Sequence, residues 1–179
     1  MSSFICTSCS TRGPELPMAY SIRPYRDNDA KALAEVIAAA IAAIGPHAYS
    51  PEQVAAWSAR HPGAGRYRER VAEGHAIFVA TDADDSPVAY ALIEPDGHLD
   101  HLYNHPDHTR RGLATQLLAR AEIYAQTHGV ERIYTEASDL ARPAFERAGY
   151  VVTNKREFTI AHEGRDVPIH NWAMEKRLK

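Results

Sequence analysis

The feature that most constrains the fold is a β-rich run that leads through a glycine-containing turn straight into an amphipathic helix. The run covers residues 99–104, and the turn contains Arg110, Arg111 and Gly112. Backbone N–H groups at a helix start lack partners within the helix and lie at the positive end of its dipole. A glycine lets a ligand approach these amides, and arginines add charge for phosphate, so the stretch predicts an anion site. A solvated loop is the alternative. The apolar face of the helix consists of Leu113, Leu117, Ala121 and Tyr124.

The elements on both sides of this turn predict a mixed α/β domain. Helices are expected after Asp27, after the capping box that begins at Ser50, around 67–72, from Leu113 to Gly129, and over about 140–148. An antiparallel meander followed by strands around two crossover helices indicates a mixed, mostly antiparallel central sheet of about seven strands with helices on both faces. The β-rich runs are 20–25, 76–81, 88–94, 99–104, 132–136, 151–161 and 167–176.

Composition excludes several classes of protein. A chain of 179 residues is the size of one domain, and 45% apolar against 24% charged residues is globular usage. A formal charge of -3 is too negative for a protein that binds mainly to phosphate backbones, so no nucleic-acid partner is expected. The longest apolar run, 33–44, is interrupted by Glu35 and falls short of the roughly 20 residues that cross a bilayer, so no membrane partner is expected.

The first seventeen residues are mainly small and polar, with neither the basic start nor the apolar stretch of a signal peptide. We therefore expect a disordered leader over 1–17, a single domain over 18–179 and a cytoplasmic location. Whether Met1 or Met18 is the natural start stays open. Cys6 and Cys9 have the spacing of half a zinc site, but no second pair exists, and we interpret them as an incidental, reduced pair.

The turn and its flanks resemble the acyl-coenzyme A signature of the GNAT N-acetyltransferases. The family's Gln/Arg-x-x-Gly-x-Gly/Ala turn matches residues 109–114, with Thr109 departing at the first position. Residues 20–24 resemble the family's first strand and 141–150 its last helix, so the resemblance covers the chain from Met18 onward. Four further stretches resemble a bacterial subgroup of uncharacterised acetyltransferases: residues 49–53, 56–57, 136–138 and 171–174.

The resemblance implies the acyl-CoA N-acyltransferase fold and an acetyl-CoA-dependent N-acetyltransferase. A primary amine, on a small molecule or as an exposed amino group, would attack acetyl-CoA directly in a ternary complex, without a metal. The turn would bind the pyrophosphate, the strand edge would pair with the pantetheine arm, and the Leu102 N–H would polarise the thioester carbonyl. The cofactor-binding residues so implied are Leu102, Tyr103, Asn104, Arg110, Arg111, Gly112, Leu113, Ala114, Thr115 and Arg142.

Two positions depart from the family pattern. Phe145 stands where many members have the tyrosine that protonates the leaving thiolate, and Leu140 stands where an asparagine is common. Tyr103, Tyr134 and Tyr150 are the alternatives, unless the thiolate leaves unassisted or through water; Tyr103 enters the catalytic set. The missing acid also keeps open a second function, a non-catalytic acyl-CoA sensor on the same fold.

The candidate for the catalytic base lies directly before the β-rich run 99–104. The resemblance matches His98 to a glutamate that takes the amine proton in histone-modifying relatives, and a histidine has an unperturbed pKa near 6.5. Asp100, on the same face of the strand, would orient it or serve instead, and an exposed residue after a turn is the alternative for His98. His98 and His101 lie three apart on a strand and should point to opposite faces, so no metal site is expected.

Five residues are expected to face the acceptor, and each has a structural alternative as a core aromatic or a hydrogen-bond partner. The identity of the acceptor is unreadable, because its pocket is built from the irregular segment 46–74. The oligomeric state is also open, with the final strand hairpin as the surface through which a homodimer would pair. The five residues are Tyr49, Trp57, Glu136, Ser138 and Asn171.

Overall fold

The structure is a computed structural model that describes residues 20–61 and 63–179. The leader, with Cys6 and Cys9, and the start at Met18 lie outside the described residues. The strands are β1 (Ser21–Pro24), β2 (Ala76–Thr81), β3 (Pro87–Ile93), β4 (Leu99–Asn104), β5 (Arg132–Ala137), β6 (Val151–His162) and β7 (Arg165–Arg177). The helices are α1 (Ala30–Ile44), α2 (Pro51–Ala59), α3 (Gly65–Ala72), α4 (Leu113–Thr127) and α5 (Arg142–Arg147).

The seven strands form two antiparallel sheets, of order β1-β2-β3-β4 and β5-β7-β6. Within residues 20–61 and 63–179, one isolated parallel bridge, between His98 and Tyr134, joins them. The Thr135 hydroxyl also donates to the Leu99 carbonyl oxygen at 2.7 Å, beyond which β4 and β5 diverge. The predicted mixed fold with seven strands is confirmed. The expectation of one central sheet needs this correction, because the ladder between β4 and β5 ends almost where it begins.

Strand β4 contains a β-bulge. In its pairing with β3, Leu92 lies opposite His101 and Ile93 lies opposite Leu99, which leaves Asp100 as an extra residue. A bulge bends the strand, increases its twist and re-aims the side chains around it. The strict alternation of side chains assumed from the sequence therefore fails at Asp100.

The edge of β4 that faces away from β3 carries unpaired backbone groups. The His105 N–H donates to the Val88 carbonyl oxygen at 2.8 Å. Because hydrogen-bonded and non-hydrogen-bonded pairs alternate in an antiparallel ladder, Tyr103 also bonds to β3, whereas Leu102 and Asn104 direct their N–H and C=O groups into the gap.

Helices cover the first sheet on both faces, as predicted. On one face α1 buries Leu33, Ile37 and Ile41 against strand residues such as Val79 and Leu92. Together with its flanking turns, α1 is long and apolar enough to pass as a membrane span by length and hydropathy. Its apolar stripe is 0–3% exposed against the sheet, however, so α1 serves as a core helix. On the other face α4 buries Leu113, Leu117, Leu118, Ala121 and Ala125.

Helix α2 packs on the β6–β7 hairpin. The predicted capping box is present: the Ser50 hydroxyl accepts from the Gln53 N–H at 3.2 Å, and the Gln53 carboxamide oxygen accepts from the Ser50 N–H at 2.9 Å. The Gln53 side chain also donates to the Pro168 carbonyl oxygen at 2.7 Å, which ties α2 to β7. A small apolar cluster completes this contact, with Tyr49, Ala56, Ile160, Val167 and Ile169 buried in it.

Candidate active site

The gap between β4 and β5 opens into a cleft of about 1130 Å³. Residues of α1, α2 and the segment from Arg60 to Arg70 line one side, and residues of the β6–β7 hairpin line another. Arg110 and Ala114 line it where α4 begins. The cleft therefore joins the glycine-containing turn, the open edge of β4 and the region predicted for the acceptor.

The turn before α4 presents a row of free backbone donors. In the described part of the chain, the N–H groups from Arg110 to Thr115 have no hydrogen-bond partner in the protein. Arg110 (φ 57°) and Gly112 (φ 78°) adopt left-handed conformations, which curl the backbone into a concave turn. A Cβ on Gly112 would meet only Gln116 Nε2, at 3.9 Å, so the fold leaves the space above the glycine open.

The side chains of this turn divide into two groups. Arg110 and Arg111 are exposed and form no ion pair among the described residues. Leu113 is fully buried in the core, so that residue has only its backbone to offer a ligand. The assignment of the turn, with Ala114 and Thr115, to cofactor binding stays a prediction.

His98 lies in an acidic cluster at the narrow end of the cleft. Its Nε2 is 2.7 Å from Glu136 Oε2, its Nδ1 is 3.5 Å from Glu94 Oε1, and its ring stacks on Tyr134. Burial lowers the pKa of His98, but the hydrogen bond with Glu136 and the charges of Glu136, Asp100 and Glu94 outweigh burial and raise the pKa above 6.5. A raised pKa increases the fraction of His98 that is already protonated at a given pH, which weakens the prediction that His98 is the base.

Asp100 is paired elsewhere. Its carboxylate contacts the guanidinium of Arg70, and its Oδ2 lies 3.6 Å from His101 Nε2. Burial opposes ionisation of Asp100, but His101, Arg70 and His98 outweigh it and hold its pKa below the ordinary value. Asp100 and His98 do share one side of β4, as predicted. The expectation that His98 and His101 point to opposite faces is wrong, because the bulge brings His101 into the same cleft.

Glu94, His98 and Asp100 bring their ligand atoms within 4.8 Å of one another, a spacing that suits a metal ion. Arg70 Nη2 lies 3.0 Å from Glu94 Oε1 and also contacts Asp100. The guanidinium therefore already supplies the positive charge between these two carboxylates, and the three residues form an ion-pair network.

The pair of His98 and Glu136 makes the stability of the fold depend on pH. The hydrogen bond with His98, against burial, lowers the pKa of Glu136 below 4.5. The stabilisation that the raised pKa of His98 contributes is complete below pH 6.5 and declines as pH rises through the folded-state pKa. The stabilisation that the lowered pKa of Glu136 contributes is present above pH 4.5 and declines as pH falls through its folded-state pKa. We expect Glu136→Gln to lower the free energy of unfolding by about 1–2 kcal/mol at pH 5.5 and by less at pH 9. Urea unfolding at both pH values measures this difference.

Glu175→Gln is the matched control for this prediction. Glu175 Oε2 pairs with Arg132 Nη1 at 2.8 Å and has no histidine partner among the described residues. Its effect on unfolding should be the same at pH 5.5 and pH 9. An effect of Glu136→Gln that is equally independent of pH would contradict the ion pair with His98.

Of the three tyrosines proposed as the acid, one lines the cleft. The Tyr103 ring lies within 6 Å of the rings of His61 and His101. Burial raises the pKa of Tyr103 well above 10, so that the phenol keeps its proton. The Tyr134 hydroxyl donates to Asp96 Oδ2 at 2.5 Å outside the cleft, and Tyr150 is buried against Phe145 in the core. Tyr103 is the candidate that the geometry leaves.

The five residues predicted to face the acceptor all line the cleft: Tyr49, Trp57, Glu136, Ser138 and Asn171. Three of them also hold the fold. The Tyr49 hydroxyl accepts from the Asp139 N–H at 3.0 Å, the Ser138 hydroxyl accepts from the Ala141 N–H at 3.2 Å, and Glu136 Oε1 pairs with Arg156 at 2.9 Å. Asn171 Oδ1 is buried with no partner among the described residues, and so is Asn104 Oδ1 at the other side of the cleft. Their roles toward an acceptor stay predictions.

Three further residues that the sequence analysis singled out lie in α5 or just before it. Phe145 and Leu140 line the cleft with apolar groups, so no hydroxyl or amide stands at these places. Arg142 lies outside the lining of the cleft. Its guanidinium packs 4.4 Å from the centre of the Trp172 ring, and its Nε pairs with Glu146 at 2.7 Å. Its predicted contact with the cofactor stays a prediction.

Sequence reasoning missed several residues that line the cleft, among them His61, Arg70, His101 and Arg156. His61 and Arg70 belong to the irregular, arginine-rich segment after α2, whose path is set by packing and has no periodicity. Regular strand alternation places His101 on the face opposite His98, and nothing in the sequence marks the bulge that changes this. Arg156 lies on the exposed strand β6, and the pattern of side chains along that strand does not predict a contact with Glu136 on β5.

The open edge of β4, beside a helix start with free amides, defines a class of protein, the acyl-CoA-dependent N-acyltransferases. A family model described as "Acetyltransferase (GNAT) domain" matches residues 46–162. A GCN5-related N-acetyltransferase structure from Rhodopseudomonas palustris is 31% identical, with a TM-score of 0.78 over 92% of this chain and 99% of that chain. The uncharacterized N-acetyltransferase YafP of Escherichia coli (strain K12) is 29% identical over 129 residues, which are 72% of this chain and 79% of YafP.

A more distant structure shares the fold. The PaiA N-acetyltransferase of Thermoplasma acidophilum, crystallised in complex with coenzyme A, is 18% identical, with a TM-score of 0.71 over 89% of this chain and 99% of that chain. The chain belongs to the GNAT acetyltransferase family. It is an N-acetyltransferase whose donor is acetyl-CoA and whose acceptor is an amine.

Proposed function

We propose that the amine attacks acetyl-CoA directly while both are held in the cleft, with the donor against the β4 edge and the α4 turn. The observation that carries this proposal is the row of free N–H groups from Arg110 to Thr115 beside the unpaired edge of β4. The proposed reaction needs no acyl-enzyme. The donor supplies a thioester whose carbonyl carbon is open to attack.

The residues present fit such a donor. A pyrophosphate requires several hydrogen-bond donors and positive charge, which the amides from Arg110 to Thr115 and the unpaired guanidinium groups of Arg110 and Arg111 supply. An extended arm with amide groups requires a free strand edge, which Leu102 and Asn104 supply. Asn104 Oδ1 is buried with no partner among the described residues, so its side chain would have to turn outward to accept from an N–H group of the arm.

Leu102 is proposed to stabilise the charge that develops during the reaction. Its N–H lies on the edge of β4 that bonds to no strand, so it is free to donate to the thioester oxygen. A backbone donor in a fixed strand needs no reorganisation when the oxygen becomes more negative, and one such donor contributes about 3–4 kcal/mol to the rate in other acyl-transfer enzymes.

Tyr103 is proposed as the acid that donates a proton to the leaving sulfur. It lies on β4 next to Leu102, it lines the cleft, and burial keeps its phenol protonated. This assignment takes the place of the tyrosine that is absent at Phe145. His98 and Asp100 are proposed to position the strand through their ion pairs with Glu136 and Arg70.

The acceptor is proposed to lie between α2 and the β6–β7 hairpin, against Trp57 and Asn171. Asn171 lines this part of the cleft, but its Oδ1 is buried with no partner among the described residues, so its side chain would have to turn toward the cleft to accept from the amine. We place this activity in the cytoplasm, because its donor is a soluble intracellular metabolite. A homodimer would pair along β6, an edge strand on which Val151 is 60% exposed.

Thiol release from acetyl-CoA with a broad panel of amines tests the function, beside calorimetry of acetyl-CoA binding without an amine. Binding together with amine-dependent thiol release supports the enzyme. Binding without release across the panel would favour the alternative, a non-catalytic acyl-CoA sensor, which Phe145 and Leu140 motivate.

The domain is proposed to run over 18–179, with 1–17 contributing nothing to it. A chain that starts at Met18 should match the full chain in melting temperature and in thiol release, because the first seventeen residues have no apolar periodicity to bury. Differential scanning calorimetry and the thiol assay measure both. Lower stability after truncation, or zinc retained by the full chain alone, would contradict the prediction.

A further inference from the structure

Three aromatic rings form a triangle on one side of β4. The ring centres of His61 and His101 are 5.4 Å apart, those of His61 and Tyr103 are 5.9 Å apart, and those of His101 and Tyr103 are 5.6 Å apart. His101 and Tyr103 are the residues immediately before and after Leu102. His61, which follows α2, therefore packs against the side chains of the two residues that flank the backbone amide proposed to bind the thioester oxygen.

The two histidines of this triangle differ in what they are free to do. His101 Nδ1 is 3.0 Å from the hydroxyl of the fully buried Tyr90, which is 2.8 Å from the hydroxyl of Tyr67, and its Nε2 faces Asp100. Among the described residues, neither ring nitrogen of His61 has a hydrogen-bond partner, and neither is closed off from the cleft. His61 is thus the imidazole with a lone pair available to a substrate.

Burial keeps the His61 ring neutral. Burial lowers the pKa of His61 to about 4; the carboxylate of Asp100 on β4 opposes this effect, and the neighbouring Arg60 adds to it. His101 and Tyr103, the other titratable groups against the ring, are uncharged at neutral pH because burial lowers the pKa of the first and raises that of the second. At neutral pH the ring is therefore unprotonated, and its lone pair is free to take a proton from the attacking amine.

We propose that His61 is the catalytic base of the acetyl transfer. This inference rests on the proposed function. The amine nitrogen forms a bond to the carbonyl carbon with its lone pair, the C–S bond breaks, and sulfur keeps the electron pair of that bond. The proton lost by nitrogen goes to His61, sulfur takes the proton of Tyr103, and the His61 imidazolium returns a proton to Tyr103, so protons and charge balance over one turnover.

The kinetic test compares His61→Ala with His47→Ala. His47 is an exposed histidine that does not line the cleft, so its variant should keep full activity. We expect His61→Ala to lower kcat by about a hundredfold, in the range of general-base catalysis, with little change in acetyl-CoA affinity. Added imidazole should restore part of kcat to His61→Ala and should leave His47→Ala unchanged, a result that a purely structural role would not give.

A second readout does not depend on turnover. Coenzyme A added to the full chain should shift the NMR signals of the His61 ring, since that ring contacts both neighbours of Leu102, and should leave those of His47 in place. Unshifted His61 signals at saturating coenzyme A, or a His61→Ala variant within threefold of an active unaltered chain, would overturn the assignment of His61 alone. No thiol release by the unaltered chain with any amine would overturn the proposed function, and the base with it.

Discussion

Gly112→Ala should weaken acetyl-CoA binding at least tenfold, with the fold intact. The added methyl group stands among the free amides from Arg110 to Thr115, where it holds an anion away from several donors at once. Tenfold corresponds to about 1.4 kcal/mol, less than the loss of two charge-assisted hydrogen bonds. Calorimetry of acetyl-CoA binding measures the effect without a known acceptor.

The matched control for this variant lies at the other end of the same helix. Gly129 follows α4 with φ 74°, against 78° for Gly112, and a Cβ there would meet no heavy atom within 4 Å. Both substitutions carry a similar backbone strain of about 1–2 kcal/mol, so both should lower the melting temperature alike. Gly129→Ala should bind acetyl-CoA as the unaltered chain does. Equal affinity in the two variants would show that the turn is not the pyrophosphate site.

Tyr103→Phe should lower kcat by about a hundredfold, because the leaving sulfur then has no positioned proton donor. Burial raises the pKa of Tyr103 well above 10, so its ionisation should cause no loss of rate as pH rises to 10. The KM for acetyl-CoA should change little, since the change removes one hydroxyl and leaves the ring in place. Steady-state thiol release over pH 6–10 measures all three expectations.

Tyr134→Phe provides the comparison on the neighbouring strand. It removes a hydroxyl that donates to Asp96 outside the cleft, so the rate should stay near that of the unaltered chain. An unchanged kcat in Tyr103→Phe would assign the proton of the thiolate to water. An equal loss in both variants would point to a general effect on β4 and β5.

Local patterns predicted the turn, the helix start and the strand that form the proposed donor side. A glycine in a turn, a helix start and a strand that ends beside them are adjacent in sequence, so their chemistry follows from neighbours. The cluster around His98 could not be anticipated in the same way. Its partners, Glu94 and Glu136, come from a turn and from another sheet, so the raised pKa that they give His98 cannot be read from the histidine's own neighbours in sequence.

The bulge at Asp100 and the segment around His61 show a second limit. Alternation along a strand predicts which face a side chain takes only while the ladder is regular, and one extra residue moved His101 to the other side. His61 has no periodic neighbours, because the segment after α2 is held by contacts such as the pair between Arg70 and Glu94. Such contacts exist only after the chain has folded.

The unpaired edge of β4 separates the proposed donor half of the cleft from the proposed acceptor half, and the two halves differ in the kind of atom that would bind the ligand. The proposed donor half would bind through main-chain N–H and C=O groups, which nearly every residue type supplies, whereas the proposed acceptor half would bind through side chains of α2, the arginine-rich segment and the hairpin. Substitutions can therefore alter the acceptor while the donor half stays functional. Chains of this architecture can therefore diverge in the amine that they modify. Descendants of one ancestor can acquire new acceptors while the groups proposed to bind the acetyl donor stay the same.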